Sequence, residues 1–242
     1  MWIGLSSCEA ASSSSMPAVA AAWAYSAEPV RMKRSGVWGP GLVGLSYESL
    51  PWIGAPLVVA LATGRTDVTA LSPLTNLRAK SNFGGYWGPE AKYTGYDHIV
   101  LQGKAEKPSY VWITEDKVEI RDASHLWGKD TFETQQMIRQ ELGDPEIKVV
   151  CIGPAGENLV RFACLITEVA GAAARGGLGA VMGSKNIKAV AVRGRKPVGV
   201  ARPAEMFEAS LALNREIRES PACQELSNYG NVRFVALMYQ LS

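Results

Sequence analysis

Apolar and polar positions change period several times along the chain, and each change predicts a different kind of element. From Thr66 to Leu71 the stretch TDVTAL reads as a short strand closed by the Ser72-Pro73 turn signal. HIVLQG, His98 to Gly103, is a mostly apolar run ending in glycine. SYVWIT (Ser109 to Thr114) and KVEIRD (Lys117 to Asp122) flank Glu115-Asp116, a spacing that predicts a hairpin. The period then becomes helical in DTFETQQMIRQELG. There Asp130 is placed to cap the start, Glu133 to complete a capping box, and Gly143 to stop the helix before Pro145. IKVVCIG and IKAVAVRG are two further strands, each ended by glycine. From Pro203 the spacing is helical again, with Met206, Leu211 and Ile217 set among charges. A second helix-like piece, VRFVALMYQLS, ends in mid-pattern, as a truncated helical domain would. Residues 1–62 show no clean period. SSSS and AVAAAWA are of low complexity, RSGVWGPGLVGLSYESLPWIGAP reads as turns, and no fold is assigned there.

Composition narrows the classes. The 242 residues are 47% hydrophobic and 20% charged, a globular balance rather than a disordered one. A formal net charge of +2 argues for no nucleic-acid or membrane-surface partner. No uninterrupted apolar run is long enough to span a bilayer. No positive side chain precedes Arg31 and Pro17 breaks the early apolar run, so no secretory signal is expected and the cytoplasm is the expected location. Cys8, Cys151, Cys164 and Cys223 are scattered with no Cys-x-x-Cys pair, and read as buried or incidental thiols. Cys164 is expected to be a small buried residue. His98 and His125 are the only histidines, too few for a multi-histidine metal site; the first reads as structural and the second as a surface turn residue.

Candidate chemistry lies in two glycine-rich stretches, SNFGGYWG and AAARGGLGAVMGSKN. Glycine lets backbone approach a ligand with no Cβ in the way and supplies positive φ, so that successive N–H groups converge on an anion. Alone, Gly84 and Gly85 could equally make a tight bend between aromatic residues. The second stretch fails the dinucleotide fingerprint, because Met182 stands where a glycine is needed. It fails the P-loop too, because Ser184 precedes Lys185. An anion-cradling turn with Arg175 at its mouth remains. Tyr86, Trp87, Tyr93 and Tyr96 read as sheet packing. Glu157 and Asn158, after GPAG, fit the wall of such a site or a solvated turn equally.

Five segments in order, GRTDVTALSPLT, NFGGYWGPEAKYTGYDHIVLQGKAEKP, VEIRDASHLWGKDTFET, IGPAGENLVRFA and RGGLGAVMGSKNIKAVAVRG, resemble the N-terminal domain of the aldehyde ferredoxin oxidoreductase family. The resemblance runs from about Gly64 to Gly194. It implies an α+β fold: a sheet-rich domain of two packed β-sheets forming the base for a bis-pterin cofactor, then the start of an α-helical domain. The division expected is 1–62 as an atypical segment, 63–200 as the pterin domain and 201–242 as the helical start. The cofactors implied are a tungstopterin (or molybdopterin) bis-dithiolene and magnesium. A [4Fe–4S] cluster belongs to full-length members, and its ligands are absent here. By resemblance Arg65 contacts pterin, Asn82 and Ala172 give backbone carbonyls to a magnesium bridging the pterin phosphates, and Gly84, Gly85 and Arg175 line the same site. The activity implied is oxidation of an aldehyde to a carboxylic acid with ferredoxin as electron acceptor, in a homodimer or with a separate chain supplying the missing domains. The alternatives are a catalytically inert fragment or split subunit, and part of a related aromatic acyl-CoA reductase.

The chain departs from the family pattern in its later loop. Where the family commonly reads Arg-Ala-Ala-Gly-Arg-Gly-Gly, Gly171 replaces the first arginine and Ala174 the first glycine. Loss of a charged partner to a buried group costs about 1.5–3 kcal/mol. A methyl at Ala174 is costly only where that residue needs positive φ. The absence of the helical domains also predicts an apolar sheet face left exposed and prone to association.

Overall fold

A computed structural model of the chain describes the backbone strands at 2–7, 20–25, 28–34 and 43–47. It describes residues 65–96, 98–169, 171–230, 232, 234–235 and 238–239 in full, and the backbone of 231. The chain divides into two compact units, Met1–Trp52 with Gly64–Val198, and Ile53–Thr63 with Gly199–Ser242. The first unit contains two β-sheets, as the α+β reading expected.

The first sheet has seven strands in the order β3-β2-β1-β7-β4-β5-β6. They are β1 (Trp2–Ser7), β2 (Ala20–Tyr25), β3 (Glu28–Arg34), β4 (Val43–Tyr47), β5 (Thr66–Leu71), β6 (Arg78–Phe83) and β7 (His98–Gln102). Four of them fall in the segment to which the sequence reading gave no fold. Their backbones pair antiparallel, β1 with β7 from Trp2↔Gln102 to Ser6↔His98 and β4 with β5 from Gly44↔Thr69 to Tyr47↔Thr66. Part of the stretch read as turns lies outside the described residues. Between β6 and β7 the chain forms a helix, α1 (Trp87–Tyr93), where aromatic sheet packing was expected. Trp87 is buried on that helix, edge-on to Phe83 at 5.8 Å between centroids, and its Nε1 donates to the Val190 carbonyl at 3.0 Å. Helical spacing decided the outcome because Trp87 and Ala91 are four apart and face the same core.

The second sheet has six strands, β12-β11-β10-β13-β8-β9. They are β8 (Ser109–Ile113), β9 (Val118–Asp122), β10 (Lys148–Cys151), β11 (Leu165–Thr167), β12 (Gly171–Ala173) and β13 (Ile187–Val192). β8 and β9 form the predicted hairpin from Ser109↔Asp122 to Ile113↔Val118. The predicted helix is α2 (Thr131–Leu142), with the Asp130/Glu133 capping box formed and Gly143 left-handed at its end. Two short helices, α3 (Pro154–Glu157) and α4 (Leu178–Ser184), had no periodic signal in so few residues.

Every residue of β8 and β13 is buried, because this sheet is covered on both faces. Val111, Ile113, Val150, Val190 and Val192 face the first sheet and meet Val68, Phe83, Ile99 and Leu101. Their neighbours Tyr110, Trp112, Val149, Cys151, Ala189 and Ala191 face Ile138 of α2 and Leu126. Period-two alternation thus feeds two cores from single strands. In the second unit α5 (Pro203–Glu219) forms where helix was predicted, α6 (Pro221–Tyr229) forms between the two stretches read as helical, and neither buries a side chain. Of VRFVALMYQLS, more than half lies outside the described residues.

Candidate functional site

The site residues gather where two sheet edges meet. β6 ends the first sheet and β12 ends the second, so each has one side with unpaired N–H and C=O groups. The two edges run alongside each other in opposite directions. Gly171 lies where a Cβ would stand 3.3 Å from the Gly84 carbonyl, Arg175 N donates to Ser81 Oγ at 3.3 Å, and Gly176 packs on Ala79. Asn82 and Ala172 lie on these facing edges, between the Gly84–Gly171 and Ser81–Arg175 contacts.

Arg65 precedes β5 and is exposed; its Nη2 donates to Asn82 Oδ1, and its Nη1 lies 4.0 Å from where a Cβ of Gly84 would stand. Asp67 is directly opposite Asn82 in the ladder and is buried at 3% exposure. Burial pushes its carboxyl above the usual range, against a hydrogen bond from Asn82 and the Arg65 charge. Asp67 Oδ2 is 3.4 Å from Lys80 Nζ and makes no hydrogen bond among the described residues. Gly85 has φ +95°, and Arg175 is exposed at the start of the loop into α4. Arg65, Asn82, Gly84, Gly85 and Arg175 are therefore brought to the same pair of edges as Ala172.

Of the other expectations, those for Glu157 and Cys164 are corrected, and that of His125 as a surface turn residue holds. Glu157 neither lines this site nor sits in solvent: its carboxylate is buried against Lys188 and accepts from Gly128 N at 2.9 Å. Lys188, fully buried, also donates to the Lys129 carbonyl at 2.8 Å. Cys164 is half-buried rather than buried, with its thiol 3.6 Å from the Ala174 carbonyl beside the arginine loop. Among the described residues Cys151 is the buried thiol, pushed up to about 12 by desolvation, so it is held un-ionised. His125 sits in a short 3-10 turn with Nε2 3.1 Å from Glu141 Oε2. Ala174 is not among the described non-glycine residues with positive φ, so its methyl is accommodated; positive φ falls on Gly176 and Gly177. Gly171, in contrast, has room for little else. A Cβ there would stand 2.7 Å from Thr167 Cγ2, so this backbone holds no arginine at 171 without shifting.

Sequence reasoning passed over Asp67, Ser81 and Glu168. β6 was missed altogether because RAKSNF is polar on an edge strand, leaving only the weak alternation that ends at Phe83. Among the described residues no group of three or more His, Cys, Asp or Glu could hold a metal ion. The edge N–H groups, the two guanidinium groups and the glycine turns fit an anionic, phosphate-bearing group, and the edge carbonyls fit a cation beside it.

Comparison with known proteins agrees on the family. The model of the aldehyde ferredoxin oxidoreductase N-terminal domain matches residues 52–194. The tungsten-containing aldehyde ferredoxin oxidoreductase of Pyrococcus furiosus is 47% identical over 176 residues, 72% of this chain and 29% of the relative. The active site complex BamBC of benzoyl coenzyme A reductase is similar in structure, with a TM-score of 0.69 and 44% identity, covering 73% of this chain and 26% of that one. A different similarity covers 45 residues, 18% of this chain, which are 73% identical to 15% of the bacteriochlorophyll synthase 33 kDa chain of Rhodobacter capsulatus. The chain thus spans less than a third of the length of its oxidoreductase relatives. With more than half of its residues matched by one family model, the chain belongs to the aldehyde ferredoxin oxidoreductase family and carries its N-terminal domain.

Proposed function

We propose that this chain is the cofactor-binding part of a tungsten (or molybdenum) pterin oxidoreductase that oxidises aldehydes to carboxylic acids and passes electrons to ferredoxin. The observation that carries the reading is the meeting of β6 and β12, which sets backbone acceptors beside Arg65 and Arg175. In this reading the guanidinium groups bind the pterin phosphates by forked hydrogen bonds. The carbonyls of Asn82 and Ala172 would hold a magnesium ion, which would offset the charge of the phosphates. Gly84 and Gly85 admit the flat ring system against the backbone. When bound, the metal–dithiolene group supplies the two-electron redox chemistry. The chain's own residues hold and orient; none is assigned as acid or base toward the aldehyde. The cytoplasm is the proposed location. Among the described residues no helix is long and apolar enough to cross a membrane. Partner domains come from elsewhere in a longer protein or from a second chain.

The test is to produce the chain in a host that makes the pterin cofactor, with tungstate or molybdate supplied, and to measure bound metal and pterin. Stoichiometric cofactor that falls at least tenfold in Arg65→Ala/Arg175→Ala is expected. A folded chain free of both would favour the inert reading. A second reading, a subunit of an aromatic acyl-CoA reductase, draws on the 44% identity to the benzoyl coenzyme A reductase complex. Dye-linked assays of the assembled enzyme with an aldehyde and with an aromatic acyl-CoA separate the two.

We further propose that the chain is composite, with 63–200 as the pterin domain and 201–242 as the helical start. In this proposal the 45 residues similar to a bacteriochlorophyll synthase chain stand before the oxidoreductase motifs, which run from Gly64 to Gly194. No activity of that relative is carried over with so short a piece. A tryptic peptide covering 35–65, detected in the source organism, would join both parts in one polypeptide. Two separate products would refute it.

A further inference from the structure

We propose that Glu168 is a positioning residue whose carboxylate clamps the Gly84-Gly85 turn against the β11–β12 hairpin, presetting the two backbone edges for the cofactor phosphates. The proposal rests on the cofactor reading above. Glu168 follows the last residue of β11 and has φ 54°, a left-handed conformation that non-glycine residues keep only when their surroundings hold them there. Two buried neighbours do so. Gln135 of α2 donates from Nε2 to the Glu168 carbonyl at 3.1 Å, and the Thr167 hydroxyl donates to the Val149 carbonyl at 2.9 Å.

With its backbone fixed, the side chain crosses to the other sheet edge. Glu168 Oε1 accepts from Tyr86 N at 2.6 Å. The carboxylate lies flat on the turn, so that a Cβ at Gly85 would stand 2.6 Å from Oε2 and 3.0 Å from Cδ. A carboxylate accepting a backbone N–H at this distance makes a charge-assisted bond. The approach of Gly171 to the Gly84 carbonyl runs beside it. Glycine backbone is the freest in the chain, and a ligand that had to order this turn would bind more weakly. The clamp supplies that order before the ligand arrives.

The test uses the full chain, isotopically labelled for NMR. In the wild type the Tyr86 amide proton should resonate well downfield of its neighbours and exchange slowly with solvent. An ordinary shift with fast exchange overturns the clamp. Glu168→Gln keeps an acceptor oxygen of the same reach and should preserve the signature, whereas Glu168→Ala should abolish it. Magnesium pyrophosphate, a probe with two linked phosphates, is then titrated into each protein. Glu168→Ala should bind it about tenfold more weakly and Glu168→Gln within about twofold of wild type. Unchanged affinity in Glu168→Ala overturns the role at the site. A wild type that shows the Tyr86 signature but binds no probe upholds the clamp and counts against the cofactor reading instead. If Glu168→Ala does not fold, the Tyr86 resonance in the wild type and in Glu168→Gln still decides.

Discussion

Gly85 and Asp67 show how much of the site is set one residue at a time. Gly85 combines φ +95° with a carboxylate packed where its Cβ would be, so both backbone strain and a clash oppose any side chain. Gly85→Ala should therefore destabilise the chain by about 1–3 kcal/mol, read as a lower urea midpoint at unchanged slope. Asp67 acts through its charge. Its folded-state pKa is raised, so the native chain holds that proton more tightly than the unfolded chain does. This contribution to stability falls as pH rises from the ordinary carboxyl value toward the raised one, and above it the whole penalty remains. Asp67→Asn removes the group, and its stability should drop less, or rise more, than that of the wild type from about pH 4 to about pH 7. Parallel profiles in urea unfolding would show that the buried carboxyl is fully compensated by Arg65, Asn82 and Lys80.

At the scale of elements, α2 and the loop before it are held by polar groups the core does not supply. Asp130 Oδ1 accepts from the amides of Phe132 and Glu133, each at 2.8 Å. Asp130→Ala should cost about 1 kcal/mol, and Asp130→Ser should recover most of it, measured by thermal unfolding. The Lys188–Glu157 pair ties β13 to α3, while Gly128 N and the Lys129 carbonyl close the loop onto it. Removing one partner strands a buried charge. Glu157→Gln alone should cost about 3–5 kcal/mol, and the double variant Lys188→Met/Glu157→Leu less than either single change, because the desolvation penalty leaves with the pair. A double variant as unstable as the sum of its parts would contradict this account.

For the whole molecule, the exposed apolar surface bears on association. Phe162 and Leu77 are about 70% exposed and Leu74 is 59% exposed. Gly177 brings the Arg161 backbone and Pro73 together, which sets Phe162 and Leu74 on neighbouring turns. These three side chains lie on turns, and Leu71 of β5 and Ile120 of β9 add exposed apolar surface on strands. The first unit should therefore self-associate at high concentration, and Leu74→Ser/Phe162→Ser should shift it toward monomer in sedimentation velocity. A wild-type chain that stays monomeric and binds no hydrophobic dye would rule this out.

The sequence by itself determined the elements whose signals are local. The capping box of α2, the β8–β9 hairpin, the strands of the second core and the amphipathic spacing of α5 all come from neighbours within a few positions. It also determined the family, because five motifs kept in order from Gly64 to Gly194 hold more information than any one glycine pair. Only the tertiary structure decided what depends on distant contacts. The polar edge strand β6 forms because β5 pairs with it, and Trp87 joins a helix because a core waits on that face. Glu157 turns inward to meet Lys188, 31 residues away, and Glu168 reaches Tyr86 across 82. Local pattern cannot encode such pairings, since each residue is ordinary until packing brings its partner within hydrogen-bond reach.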